Sequence, residues 1–188
     1  MKIIEIKVMN GPNYWSSRRH KLVVMLLDLE ELEEKPTNKI PGFLNRLKNM
    51  FPTMFSHRCS EGEEGGFFKR VEEGTWMGHV IEHIALELQT LAGMDTGFGR
   101  TRSAGKPGVY HVVFSYIEDA VGRATATASV EIAQRLIDGN DFDLETFIQD
   151  LRVIRERVRL VPSTGAIVSE AINRNIPWIR LNKHSLVQ

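Results

Sequence analysis

Residues 109–138 read VYHVVFSYIEDAVGRATATASVEIAQRLID, and this stretch decides the fold class. Val109 to Tyr116 is dense in β-branched and aromatic residues, the composition of a strand. Glu118 to Asp138 contains no proline and is rich in alanine, which predicts a long helix. Acids fall in its first turn, where the helix dipole favours them, and Gly139-Asn140 ends it. A strand running into a long helix points to an α+β domain.

The segments on either side agree. Met1 to Met9 carries Ile4, Ile6 and Val8 on one side, so it predicts a strand, broken by Asn10-Gly11-Pro12-Asn13. Lys21 to Leu29 is a continuous apolar run and predicts a more buried strand. Pro41 opens a short helix carrying Phe43, Leu44, Leu47 and Met50. Ser60 to Gly66 is acidic and glycine-rich, a loop. Thr75 to Leu91 predicts a long helix stopped by Gly93. Thr96 to Gly108 holds four glycines and the cations Arg100, Arg102 and Lys106, and reads as a second loop. Leu144 to Leu160 is a third long helix, dense in arginine. Pro162-Ser163-Thr164-Gly165 is a turn and cap, followed by a short helix to Asn173 and a strand over Ile176 to Leu181. The expected architecture is α+β, a small mixed sheet packed with several helices. Residues 1–160 form the main domain, and 161–188 a small helix-strand unit of a neighbouring domain.

Bulk properties narrow the function classes. The chain has 188 residues, 42% of them hydrophobic, enough for a core. Lys plus Arg equals Asp plus Glu at 24 each, so there is no basic footprint for nucleic acid. Cys59 is the one cysteine, which excludes an intrachain disulfide and fits a reducing compartment. The opening MKIIEIKVMNGPNYW is too often interrupted by charge for a signal peptide. No stretch approaches the roughly 20 apolar residues of a membrane span. The expectation is a cytoplasmic protein without membrane or nucleic-acid partners.

Within the Thr75–Leu91 helix stands His79-Val80-Ile81-Glu82-His83. At about 100° per residue, His83 lies roughly 40° from His79 and Glu82 about 60° to the other side. The three share one face, and Met77, Val80, Ile81, Ile84, Ala85 and Leu88 take the opposite arc. Two histidines at i and i+4 can hold one zinc ion, and a carboxylate between them can take a proton from water. His-x-x-Glu-His is the inverted zinc-peptidase motif. A solvated helix face would carry the same pattern, so a third ligand matters. Glu87 lies about 12 Å along the axis from His79 and suits a partner to His83 better than a ligand. Glu131 is the preferred third ligand, beside the small residues Ala120, Ala124, Thr127 and Ala128. His57, His111 and Asp95 are the alternatives.

Several stretches together resemble the N-terminal region of cyanophycin synthetases. They are Gly11-Pro12-Asn13-Tyr14-Trp15, Arg18-Arg19-His20-Lys21, Gly74 through Gln89, Gly97-Phe98-Gly99-Arg100-Thr101-Arg102 and Val112 through Tyr116. Pro162 to Gln188 resembles the opening of that family's ATP-grasp domain. The resemblance implies a polymer substrate, polyaspartate with arginine on each side-chain carboxyl. It also implies ligase domains, using ATP and Mg²⁺, that this chain lacks, and homo-oligomers of the parent protein. The helix-strand-helix order from His79 to Glu131 further resembles inverted zinc peptidases of the pitrilysin type.

Two functions follow as expectations. In the first, zinc held by His79, His83 and Glu131, with Glu82 as general base, cuts the polymer internally to make primers. In the second, the domain anchors the growing polymer without chemistry. In both, Arg18, Arg19, Arg100, Arg102 and Lys106 meet substrate carboxylates, and Glu61, Glu63 and Glu64 meet guanidinium groups.

Overall fold

The structure is a computed structural model that describes residues 1–19, 21–59, 62–182 and 184–188. Strands β1 (Lys2–Asn10), β2 (Lys21–Asp28), β3 (Gly99–Ser103) and β4 (Val109–Ser115) form one sheet in the order β1-β2-β4-β3. Every neighbouring pair is antiparallel, which corrects the expected mixed sheet. Short connections explain the two outer pairs, because adjacent strands joined by a turn run antiparallel.

β3 is a second correction. It lies inside Thr96 to Gly108, expected as a loop on its glycines and charges. The glycines at 97, 105 and 108 bound the strand, and within it Arg100-Thr101-Arg102 alternates as a strand does. A third correction falls at Ile176 to Leu181, where a single bridge, Arg180 to Val187, replaces the expected strand.

The helices are α1 (Phe43–Met50), α2 (Gly66–Glu73), α3 (Met77–Leu91), α4 (Asp119–Asp138), α5 (Leu144–Val158) and α6 (Pro162–Asn173). Sequence reading did not anticipate α2, a short helix entered through Gly65 at φ 78° that buries Phe67, Phe68 and Val71. Among the described residues no helix is long and apolar enough to cross a membrane.

β2 explains the packing. Val23, Met25 and Leu27 face the helices and join the main core with Val112 and Phe114 of β4. Leu22 and Val24 face the other way and, with Val113, are covered by Met9, Trp15 and Phe98. Both faces are therefore occupied, as the continuous apolar run required. α3 lies against β3 and β4 and is flanked by α4 and α5. α4 comes close enough to the sheet that a Cβ on Gly122 would stand 2.9 Å from Tyr116 Cβ. The 161–188 segment touches the rest at few points. Arg180 Nη1 donates to the Val158 carbonyl at 2.7 Å, and Lys21 Nζ stands 5.6 Å from the Trp178 ring centre.

Candidate metal centre

α3 is packed on nearly every side, and this sets the chemistry of its polar residues. Glu82 is 5% exposed, His83 7% and Glu87 2%. The solvated-face alternative is thereby excluded. A buried polar group needs a partner, and each of these has one.

His79 is half-buried, with Nδ1 3.1 Å from Thr75 Oγ1 and Nε2 3.2 Å from Cys59 Sγ. Thr75 is itself fixed, its amide donating to Thr37 Oγ1 at 2.9 Å. His83 stacks on Phe67 with ring centres 4.0 Å apart. Its Nδ1 lies 2.9 Å from His57 Nδ1, and His57 Nε2 lies 2.8 Å from Glu87 Oε2. Thr53 Oγ1 donates to the other Glu87 oxygen. The tautomers follow from this chain. An ionised Glu87 accepts a proton donor at His57 Nε2, so His57 Nδ1 accepts from His83 Nδ1. The lone pair on His83 Nε2 is then left for a ligand, the arrangement by which an outer carboxylate orients a metal-binding histidine.

The charges are consistent with this. Burial pushes His79 down to about 4, with Arg70 adding to the effect. Burial pushes His83 well below its ordinary value, helped by His79 and His57. Both imidazoles are therefore neutral at neutral pH, the form that binds metal. For Glu87, burial works upward, but hydrogen bonds from His57 and Thr53 outweigh it and hold the carboxyl below its ordinary value.

The ligand atoms of Cys59, His79 and His83 all lie within 4.8 Å of one another. Two nitrogen and sulfur ligands on one tetrahedral zinc ion stand roughly 3.5 Å apart. The 3.2 Å between His79 Nε2 and Cys59 Sγ fits that spacing. A thiolate with two imidazoles is a donor set that suits zinc. Cys59 also holds an uncommon backbone conformation, φ 52°. Sequence reading missed this residue, because a lone cysteine shows no metal-ligand spacing.

Glu131 does not join them. It lies half exposed on α4 and pairs with Arg135 at 2.9 Å. Of the small residues that suggested it, Ala120 and Thr127 are exposed and Ala124 is half-buried. The small face that packs on neighbours is instead Thr125, Ala128 and Ser129. The likeness to inverted zinc peptidases gains no support from this placement. Asp95 lines the same cavity as the histidines, and His57 serves as the relay just described. His111 lies on β4, edge-on to Trp15, with a buried Nδ1 that has no partner.

Glu82 faces the sheet side. Thr101 Oγ1 donates to its Oε2 at 2.7 Å. Burial pushes its carboxyl up to about 7, against that bond and the charges of Arg102 and Arg100. A Cβ on Gly99 would stand 2.2 Å from Glu82 Oε1, so only glycine leaves the carboxylate room. Glu82, the two histidines, Cys59, Arg100 and Arg102 line one cavity of about 790 Å³. Arg18 and Arg19 line a smaller cavity of about 380 Å³ with Tyr14, Trp15 and Phe98, and Arg100 borders both. Lys106 is exposed in the β3–β4 turn and lines neither cavity. Glu63 and Glu64 are exposed. Glu61 and His20 lie outside the described residues.

Comparison with known proteins agrees with the resemblance in the sequence. The family description "Cyanophycin synthase-like N-terminal domain" matches residues 24–138. Cyanophycin synthetases from Synechocystis sp. and Trichormus variabilis are 49% and 50% identical over 191 aligned positions covering the whole chain. A third, from Crocosphaera subtropica, is 47% identical. The chain spans about a fifth of the length of these relatives, 22%, 21% and 22%. With the matched domain and near half identity along its full length, this chain belongs to the cyanophycin synthetase family, in its N-terminal domain.

Proposed function

We propose that the chain is a metal-dependent amide hydrolase that cuts cyanophycin internally, with zinc held by Cys59, His79 and His83. The observation that carries this reading is the buried Glu82 carboxyl in one cavity with Cys59, His79 and His83, whose ligand atoms converge. A zinc ion bound there supplies Lewis acidity to an amide carbonyl and to water.

The chain's own groups do the rest. Thr101 occupies Glu82 Oε2, leaving Oε1 to take a proton from the attacking water. As the new C–O bond forms and the amide C–N bond breaks, that proton passes from Oε1 to the departing nitrogen. One carboxylate oxygen can take the proton and then return it, which serves both halves of this transfer. Arg100 and Arg102 meet substrate carboxylates at the cavity, and Arg18 and Arg19 extend that surface. The new chain ends serve as primers for the ligase domains of the longer protein, which use ATP and Mg²⁺ in the cytoplasm. Residues 161–188 begin the ATP-grasp domain, and homo-oligomers form through the parent protein.

A second reading is supported by the smaller cavity. Arg18, Arg19 and Arg100 meet there beside aromatic rings. That surface would anchor a polymer bearing carboxylates without any cut.

Polymer chain length over time, measured without ATP and with zinc added, separates the two. Wild type should shorten the chains, and Glu82→Gln should do so about 10²- to 10⁴-fold more slowly. Intact chains with wild-type protein would leave only the anchoring function.

A further inference from the structure

β3 is an edge strand, and its residues Gly99 to Arg102 line the cavity that holds Glu82. In an antiparallel pair, opposed residues alternate between exchanging hydrogen bonds and turning their amides away. The phase here is fixed at both ends. The Ser115 amide donates to the Phe98 carbonyl at 2.8 Å, and the Ala104 amide to the Val109 carbonyl at 2.9 Å. Arg100, opposite Val113, and Arg102, opposite His111, fall in the same phase and turn their amides to β4. Gly99, Thr101 and Ser103 therefore present N–H and C=O along the free edge. Among the described residues, the side chain bonded there is that of Arg102, whose Nη1 makes a long 3.4 Å contact with the Thr101 carbonyl.

The side chains alternate with equal consequence. Thr101 points to α3, its hydroxyl also 3.3 Å from the Gly78 carbonyl, and a Cβ on Gly99 would point at Glu82. The carboxyl of Glu82 therefore lies on the Gly99–Thr101 face. Arg100 and Arg102 project from the opposite face, and both are exposed.

We propose that the free edge of β3 takes the backbone of an extended polyaspartate-type chain as a fifth strand, aligning the backbone opposite Thr101 with Glu82. This rests on the hydrolase reading and adds the pose of its substrate. An added strand gains affinity from main-chain hydrogen bonds, and its alternate side chains share the faces of their neighbours. Every second side group of such a chain, with the free α-carboxylate of its attached arginine, falls beside Arg100 and Arg102. The residues between them turn toward Glu82 and the metal ligands. Charged residues on an edge also guard against aggregation, and that role alone predicts no ordered ligand.

Amide hydrogen exchange by NMR tests the pose, using Glu82→Gln protein to keep added cyanophycin chains intact. On binding, exchange at Gly99, Thr101 and Ser103 should slow about tenfold or more, while Arg100 and Arg102, already bonded to β4, change little. Ser103→Pro removes one outward N–H and should weaken binding about five- to tenfold, whereas Ser103→Ala keeps that N–H and should bind like wild type. Polymer that binds while the three amides exchange as before overturns the strand pose alone. Polymer that does not bind overturns the substrate reading and the pose together.

Discussion

α3 and α6 are both largely apolar helices, yet they meet opposite surroundings. Every residue of α3 except His79, Thr90 and Leu91 is buried, whereas Val168 is the buried residue of α6. Ile81 is fully buried, and Ile167 is 69% exposed. The difference lies in the neighbours: the sheet, α4 and α5 enclose α3, and among the described residues no such layer encloses α6. Enclosure makes α3 chemically unusual. It removes water from Glu82, His79 and His83, so the carboxyl rises and the imidazoles stay neutral. On α6 the same residues would titrate as ordinary surface groups.

Metal content should sharpen that contrast most. Cys59→Ala should lower zinc affinity by more than the roughly 10- to 100-fold typical of losing a ligand's hydrogen-bond partner. Glu131→Ala should leave it unchanged. Zinc titration with a competing chelator reads both, and equal affinity in Cys59→Ala and wild type would remove Cys59 from the site.

Stability should divide the helices next. Ile81→Ala deletes fully buried methyl groups and should cost about 2–5 kcal/mol in denaturant unfolding. Ile167→Ala should stay within about 0.5 kcal/mol, as exposed substitutions do. Similar losses at both positions would mean that α6 is covered in solution.

The smallest effect concerns the ends of the helices. Asp143 accepts the Thr146 amide at 3.0 Å and caps α5, while α6 starts at Val161 without a side-chain cap. Asp143→Ala should cost about 1 kcal/mol by the same unfolding measurement. No loss would show that α5 is held by its packing on α3 and α4 alone.

Much of this was legible in the sequence, for definable reasons. Long helices and the strands β1, β2 and β4 carry strong periodicity, and the shared face of His79, Glu82 and His83 follows from helical angles alone. The rest depended on contacts between distant segments. β3 is only five residues long, and its glycines and charges outweighed its alternation. Glu131 was chosen from a face of small residues, but α4 has two such faces and the sequence does not say which one packs. Cys59 lies outside any ligand pattern and gains meaning only because the chain around it folds back against His79. Helical spacing sets Glu87 outside the ligand set, yet its route to His83 through His57 is invisible in the sequence.

The cluster around His83 also bears on how the chain folds. Its contacts join residues 20 to 34 positions apart, as in Cys59 to His79, His57 to His83 and Thr53 to Glu87. The two halves of the sheet are joined over a far longer loop, β2 to β4, with Leu22 opposite Ser115. Closing a loop costs entropy that grows with its length, and local contacts form sooner on average. Chain entropy therefore favours gathering the segment from Thr53 to Leu91 before β4 is drawn onto β2. The histidines and Cys59 would meet before β2 and β4 join, and a metal ion arriving then would act as a folding nucleus rather than a late addition.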